Sequence, residues 1–192
     1  MKQLILCSQS ARRKKIFTDL NLSYSIQTPN IDESEDSNEK PLDYLKRISI
    51  KKVLSICNTV PNKEATFVSS DTIVTFEDKI LHKPENLEEA IRILSKLSGK
   101  IHYVHSSFYI FQKETVEIFN YDSTKVYFKS WSLNQIHNYI NLFQPFDKAG
   151  SYGIQDKDGP VDKFEGSYTN VLGFPIRKFF QEIQYWKEFI IV

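Results

Sequence analysis

The sequence predicts an α/β protein, a mixed twisted sheet with flanking helices, folded as one domain over residues 1–192. Two observations carry that expectation. Short apolar runs rich in β-formers alternate with amphipathic runs of helical period from one end of the chain to the other. A length of 192 residues also suffices to bury a sizeable core without disulfides or metals, and no internal repeat interrupts the pattern.

Residues 2–7 read as a buried strand. A helix follows over about residues 12–20, with Ile16, Phe17 and Leu20 on one face. Tyr24 and Ile26 alternate with polar residues as a second strand, and the acidic, aperiodic residues 30–40 read as a flexible loop. Leu42, Leu45, Ile48, Val53, Leu54 and Ile56 recur at helical spacing to about Cys57, which places Arg47 and Lys51 or Lys52 towards the flanks of an apolar stripe. Residues 65–70 and 73–76 form two strands, with Glu77-Asp78-Lys79 as a tight turn before Ile80 and Leu81. Asn86 and Glu89 have capping-box spacing for a helix that turns Ala90, Ile93, Leu94 and Leu97 inward and stops at Gly99. Residues 101–111 and 115–128, rich in β-branched and aromatic side chains, form a long hairpin, after which Ser132 and Gln135 cap a helix to about Phe143. Residues 145–175 hold five of the six glycines and read as loops with short strands, and a last amphipathic helix covers about residues 176–186.

Composition excludes several classes of function. Lys and Arg number 25 against 24 Asp and Glu, so no global field draws the chain to nucleic acid or to an anionic membrane, and any basic site is local. The aromatic residues are scattered instead of interleaved with Arg in an RNA-binding stripe. No apolar run approaches a membrane span, and the N-terminal run is too short for a signal segment. Cys7 and Cys57 lack a CxxC partner and sit in apolar patterns, as buried, reduced thiols of a cytoplasmic protein do.

The chemistry starts at Ser8-Gln9-Ser10-Ala11-Arg12-Arg13, where an apolar strand ends and a helix begins. Hydroxyls, unpaired backbone N–H groups, the positive end of a helix dipole and two guanidiniums suit a phosphate, although Ser-x-Ser before a helix is also an ordinary N-cap. Asp71 interrupts a hydroxylic and apolar strand run, where a carboxylate is costly unless paired, solvated or bound to a cation. Arg12, Arg13, Glu33, Lys52, Asp71 and Lys83 can then be placed around one cleft. That balance suits phosphate with a divalent cation such as Mg²⁺: carboxylates offer hard oxygen ligands, and Lys and Arg neutralise the remaining phosphate charge. His102 and His105, three apart on a strand, point to opposite faces and read as structural. GxxxxGK[ST], GxGxxG, HExxH and GxSxG are all absent.

These pieces together resemble the Maf family of nucleoside triphosphate pyrophosphatases. The resemblance rests on Ser8 to Arg13, Glu33, Lys52, Asp71-Thr72-Ile73-Val74, Lys83-Pro84, Leu97-Ser98-Gly99-Lys100-Ile101-His102, residues 147–155 and residues 166–175. It implies a two-lobed fold of the inosine triphosphate pyrophosphatase type around a cleft, often a homodimer, that converts a nucleoside triphosphate to monophosphate and pyrophosphate. Arg12, Thr72 and Gln155 at their motif positions match the subgroup acting on dTTP and UTP. The Gln155 carboxamide offers a donor and an acceptor to the adjacent O4 and N3–H of uracil or thymine, where cytosine presents the reverse.

The resemblance further implies a catalytic set of Asp71, Glu33, Lys52 and Lys83, with Ser8, Ser10, Arg12, Arg13, Thr72 and Gln155 binding substrate. Asp71 is then either the proton acceptor of the attacking water or a metal ligand, and Glu33 shares the divalent cation, Mg or Mn. Ala11 stands where the family has Pro, and Ser70 and His82 stand where it commonly has Ala and Gly, which bears on substrate preference and rate. A nucleotide-binding regulator of division or septum formation is the alternative, and a nucleic-acid-binding module has little support.

Overall fold

The computed structural model describes residues 2–62 and 64–191, so Met1, Lys63 and Val192 of the expected single domain lie outside the described residues. Its elements form a mixed sheet flanked by helices, and its residues group into two compact units.

The first unit comprises the described residues of Met1–Asp71, Ser106–Asp122 and Gly173–Val192. Strand β1 (Gln3–Cys7) lies parallel to both β2 (Ser25–Gln27) and β3 (Ala65–Ser69), with Ile5 opposite Ser25 and Phe67. Parallel neighbours require crossovers, which α1 (Ala11–Asp19) and α2 (Pro41–Cys57) supply. The far end of β6 (Ile101–Gln112) closes this part of the sheet, antiparallel to β3. Ile5, Cys7, Val53, Ile56, Ala65, Phe67 and Tyr109 pack into one core cluster. A second, aromatic cluster joins Phe17 of α1 to Phe174, Phe108, Phe179 and Trp186, the last two stacked at 4.5 Å between ring centroids.

Three expectations in this unit need correction. Leu42 and Leu54 are exposed on α2, while Lys52 is buried at 6% exposure beside Val53, so the inward stripe is rotated towards Tyr44, Ile48, Ser49, Lys52 and Ile56. The last helix is also shorter than its periodicity: α6 ends at Gln181 (Ile176–Gln181), and 3₁₀ turns at Ile183–Tyr185 and Lys187–Phe189 follow. Those tighter turns let Trp186 fold back, with its indole N–H donating to the Phe179 carbonyl at 2.9 Å. Cys7 is buried as expected, but Cys57 at the end of α2 is only half-buried.

The second unit comprises Thr72–His105 and Ser123–Leu172. Strands β4 (Thr72–Phe76) and β5 (Lys79–Leu81) form a hairpin in the register Val74 to Leu81. Its loop is two residues, Glu77 and Asp78, both at positive φ (50° and 58°), as a primed turn requires. The later part of β7 (Val116–Phe128) pairs with β8 (Val161–Glu165). Helices α3 (Leu87–Leu97) and α4 (Leu133–Phe143) turn Ala90, Ile93, Leu94, Leu97, Ile136 and Ile140 into a core that includes Val74, Val104, Val126 and Phe128. Short α5 (Tyr168–Leu172) ends the unit.

Ser132 and Gln135 make the full capping box expected of them. Asn86 makes only half of one: its side chain accepts from the Glu89 N–H, while the Glu89 carboxylate accepts from the Glu85 N–H and not from the cap residue.

Candidate active site

The corner between β1 and α1 forms as the sequence implies. The Ser8 hydroxyl accepts from the Ser10 N–H at 3.2 Å, and the Ser10 hydroxyl caps α1 by accepting from the Arg13 N–H at 3.4 Å. Arg12 is half-buried and Arg13 is buried, so the basic run is not a uniformly solvated face. Arg13 Nε donates to the Gly173 carbonyl at 2.9 Å, an acceptor it shares with the Ser70 hydroxyl at 3.4 Å. Burial pulls the Arg13 guanidinium below its ordinary pKa; Asp71 and Glu33 oppose that pull, and Arg12 adds to it.

Asp71, directly after β3, is 8% exposed. Its Oδ1 accepts from Lys52 Nζ at 2.6 Å, and the same ammonium lies 3.0 Å from Glu33 Oε1. Lys52 therefore bridges two carboxylates, which is why a lysine on the inward face of α2 is tolerated: its charge is paired on both sides. Three residues far apart in sequence, Glu33, Lys52 and Asp71, thus meet in the first unit.

Hydroxyls hold the backbone around Asp71. Ser107 N–H donates to the Asp71 carbonyl at 3.0 Å, the Ser107 and Ser49 hydroxyls lie 2.7 Å apart, and Ser49 donates to the Leu45 carbonyl at 2.8 Å. The Ser69 hydroxyl donates to the Ser49 carbonyl at 2.5 Å. Tyr44 donates from its phenol to the Glu33 carbonyl at 2.8 Å. Burial raises the pKa of that phenol, and the charges of Asp71, Glu33 and Glu35 raise it further, so it stays a donor. Sequence reading missed Tyr44, Ser49 and Ser107. The available signal was a serine, Ser49, in the middle of the apolar stripe of α2.

The remaining expected residues belong to the second unit. Thr72 opens β4 and is half-buried; Lys83 follows β5 and is exposed. Gln155 is exposed on a loop that is tightly fixed on both sides. Asp156 Oδ2 accepts from the Tyr139 phenol and from the Gly153 N–H at 3.1 Å, and Gly153 N–H also donates to the Tyr139 oxygen at 3.0 Å. A Cβ on Gly153 would lie 2.7 Å from the Asp156 carboxylate, so any other residue there would push that carboxylate from its present position.

His102 and His105 are structural, on opposite faces of β6. His102 Nε2 lies 2.7 Å from the buried Tyr152 phenol oxygen, and His105 lies between the Thr75 and Ser123 hydroxyls at 3.0 and 2.7 Å.

The donor set suits a divalent cation that arrives with a phosphate. Glu33 and Asp71 each give one oxygen to Lys52, which leaves Glu33 Oε2 and Asp71 Oδ2 as hard donors. Among the described residues no group of three or more His, Cys, Asp and Glu gathers as a metal cage. A cation here would complete its shell from phosphate oxygens and water, the usual pattern for Mg²⁺.

The family described as Maf-like protein matches residues 3–186. A Leptospira interrogans protein named dTTP/UTP pyrophosphatase is 49% identical over 97% of this chain and 97% of its own length. A Thermotoga maritima protein of the same name is 35% identical over 96% and 91%. A Mycobacterium abscessus nucleoside-triphosphatase, or dITP/XTP pyrophosphatase, of known structure superposes at TM-score 0.45 and 11% identity, covering 67% of this chain and 74% of that one. No helix of the described residues is long and apolar enough to cross a membrane.

Proposed function

Because the chain belongs to the Maf-like protein family, we propose that it is a nucleoside triphosphate pyrophosphatase that hydrolyses dTTP and UTP to the monophosphate and pyrophosphate. The observation that carries this reading is Lys52, buried between Asp71 and Glu33, two carboxylates whose charges also act on Arg13 of α1. In this reading Asp71 is the general base, Lys52 the cation and Glu33 the second carboxylate, and the N-terminus of α1 suits phosphate.

The chemistry follows from those positions. Water attacks the α-phosphorus in line with the pyrophosphate leaving group, and Asp71 takes the proton that the water loses. Lys52 holds the Asp71 carboxylate in place for that role through the 2.6 Å ion pair. Arg13 and the α1 N-terminus stabilise charge on the triphosphate, and Ser8 and Ser10 offer hydroxyls to its oxygens. Glu33 and Asp71 are the residues that would hold Mg²⁺ or Mn²⁺, which supplies Lewis-acid neutralisation of the phosphate charge. In this reading Arg12 and Thr72 bind substrate, Lys83 meets phosphate charge and Gln155 meets the O4 and N3–H edge of the pyrimidine. The same reading takes the protein as a cytoplasmic homodimer, and sedimentation of the purified protein checks the dimer.

The test is hydrolysis of dTTP, UTP, CTP, GTP, ATP and 7-methyl-GTP with Mg²⁺ or Mn²⁺, resolving every product. Monophosphate plus pyrophosphate, fastest from dTTP or UTP, is expected. Release of single phosphates would overturn α-phosphorus attack, and no turnover by folded protein would favour a nucleotide-binding regulator.

A further inference from the structure

Helix α2 carries more than Lys52. One and two turns before it stand Arg47 and Tyr44, and both reach the main chain of the acidic loop that bears Glu33. Tyr44 donates to the Glu33 carbonyl at 2.8 Å, and Arg47 Nη2 donates to the next carbonyl, Ser34 O, at 2.9 Å. The guanidinium is itself fixed: Nε donates to Glu39 Oε1 at 2.6 Å, Nη2 pairs with Glu39 Oε2, and Nε lies 3.2 Å from Asp36 Oδ2. Glu39 in turn accepts from the Asp36 N–H at 3.2 Å. The Arg47 hydrogen bond holds the Glu39 carboxyl below its ordinary pKa, so the pair stays charged at neutral pH.

This geometry does specific work. Residues 33–39 have no helix or strand of their own, and the Glu33 side chain is 43% exposed, so its carboxylate reaches Lys52 only if its backbone is held. Two consecutive carbonyls, at Glu33 and Ser34, are held from a single helix that also carries the ammonium the carboxylate must meet. A planar fork is needed, because Arg47 contacts a carbonyl and a carboxylate at once; a lysine keeps the charge and loses the second arm.

We propose that Arg47, seconded by Tyr44, is a positioning residue of the hydrolase: it clamps the Glu33 loop onto α2 so that the Glu33 carboxylate faces Lys52 and Asp71. The inference rests on the reading of Glu33 as a working carboxylate of that site, and goes beyond it by assigning what holds Glu33 in place.

The experiment is a double-mutant cycle of Arg47→Lys and Glu33→Gln, read by kcat and KM for dTTP. It is joined by calorimetric binding of a non-hydrolysable UTP analogue over a Mg²⁺ titration, and by hydrogen exchange of residues 33–39. Arg47→Lys is expected to raise the Mg²⁺ needed for half-maximal analogue binding about tenfold, the usual effect of losing a group that orients a ligand. Faster exchange confined to residues 33–39 should accompany it. In the Glu33→Gln background the same substitution should change kcat/KM by less than about twofold, because the carboxylate it positions is gone. An equal loss in both backgrounds would overturn the clamp and make Arg47 merely structural, as would unchanged exchange of the loop. Wild-type kinetics for Glu33→Gln alone would instead overturn the role of Glu33.

Discussion

Asp71 and Lys52 define the residue scale, because each makes the other's burial tolerable. Asp71→Asn keeps the shape but removes the proposed proton acceptor, so on that proposal kcat should fall by roughly 10²–10⁴ with the fold intact. Steady-state kinetics beside a thermal melt checks this, and unchanged turnover would sink the assignment. Lys52→Met does the opposite kind of damage. It leaves the Asp71 carboxylate buried without the ammonium at 2.6 Å, which should cost about 3 kcal/mol in denaturant unfolding as well as activity. His102 makes a pH prediction with a definite sign. Burial beside Tyr152 pushes its pKa down to about 4 from an ordinary 6.5, so the folded protein holds it neutral where the unfolded chain binds a proton. Stability is therefore fully present above pH 6.5 and is lost as pH falls towards 4, with a slope of about 1.4 kcal/mol per pH unit from this group. Denaturant unfolding of wild type and His102→Gln from pH 4 to 7 should show the shallower slope in the variant; parallel curves would remove His102 as the cause.

At the scale of elements, the second unit depends on short turns that admit little variation. Within the second of the two 3₁₀ turns of residues 145–151, Gly150 sits at φ +71°, and a Cβ there would lie 2.9 Å from Val74 Cγ2. Val74 is buried in β4, two residues after Thr72, so it cannot swing away as a surface side chain would. Gly150→Ala therefore combines left-handed backbone strain with a core clash. It should cost about 2 kcal/mol, or roughly 4–8 °C in Tm. A melt within a degree of wild type would contradict the clash. The same scale shows why the apolar periodicity of α2 misled: Leu54 is 50% exposed while Lys52 is buried, because an ion pair with Asp71 fixes the helix's rotation and a hydropathy pattern contains no partner. The Asn86 cap was legible at three-residue spacing, but which N–H its Glu89 would meet depended on the turn at Glu85. Ser132 and Gln135 needed no such outside information, and their box is complete.

At the scale of the molecule, what could be read from sequence was whatever is local or carried by a motif. Strand and helix order, the Ser10 cap, the two-sided histidines and the meeting of Glu33, Lys52 and Asp71 all followed from spacing or resemblance. Tyr44, Arg47 and Ser107 did not, because their partners lie 11, 13 and 36 residues away and are main-chain atoms, which leave no mark on composition. Nor did the way the first unit is closed. Its last segment begins at Gly173, after a stretch of chain that belongs to the second unit, so neither unit is a contiguous piece of sequence. Phe174 and Phe179 are fully buried there, Trp186 is 1% and Phe189 7% exposed, and the Gly173 carbonyl holds Arg13. Burying four aromatics contributes on the order of 10 kcal/mol, about the whole net stability of a domain, so this segment is indispensable despite its terminal position. A chain ending at Leu172 should therefore lose the near-ultraviolet circular dichroism of the Trp186 and Phe179 stack and any cooperative melt of the first unit. Nucleotide binding should be lost with it, since buried Arg13 would lose the Gly173 carbonyl and Phe17 of α1 its contacts with Phe174 and Phe179. A truncated protein that still melted cooperatively and bound dTTP would show that the aromatic closure is dispensable and that β1, α1 and α2 hold the Lys52 bridge by themselves.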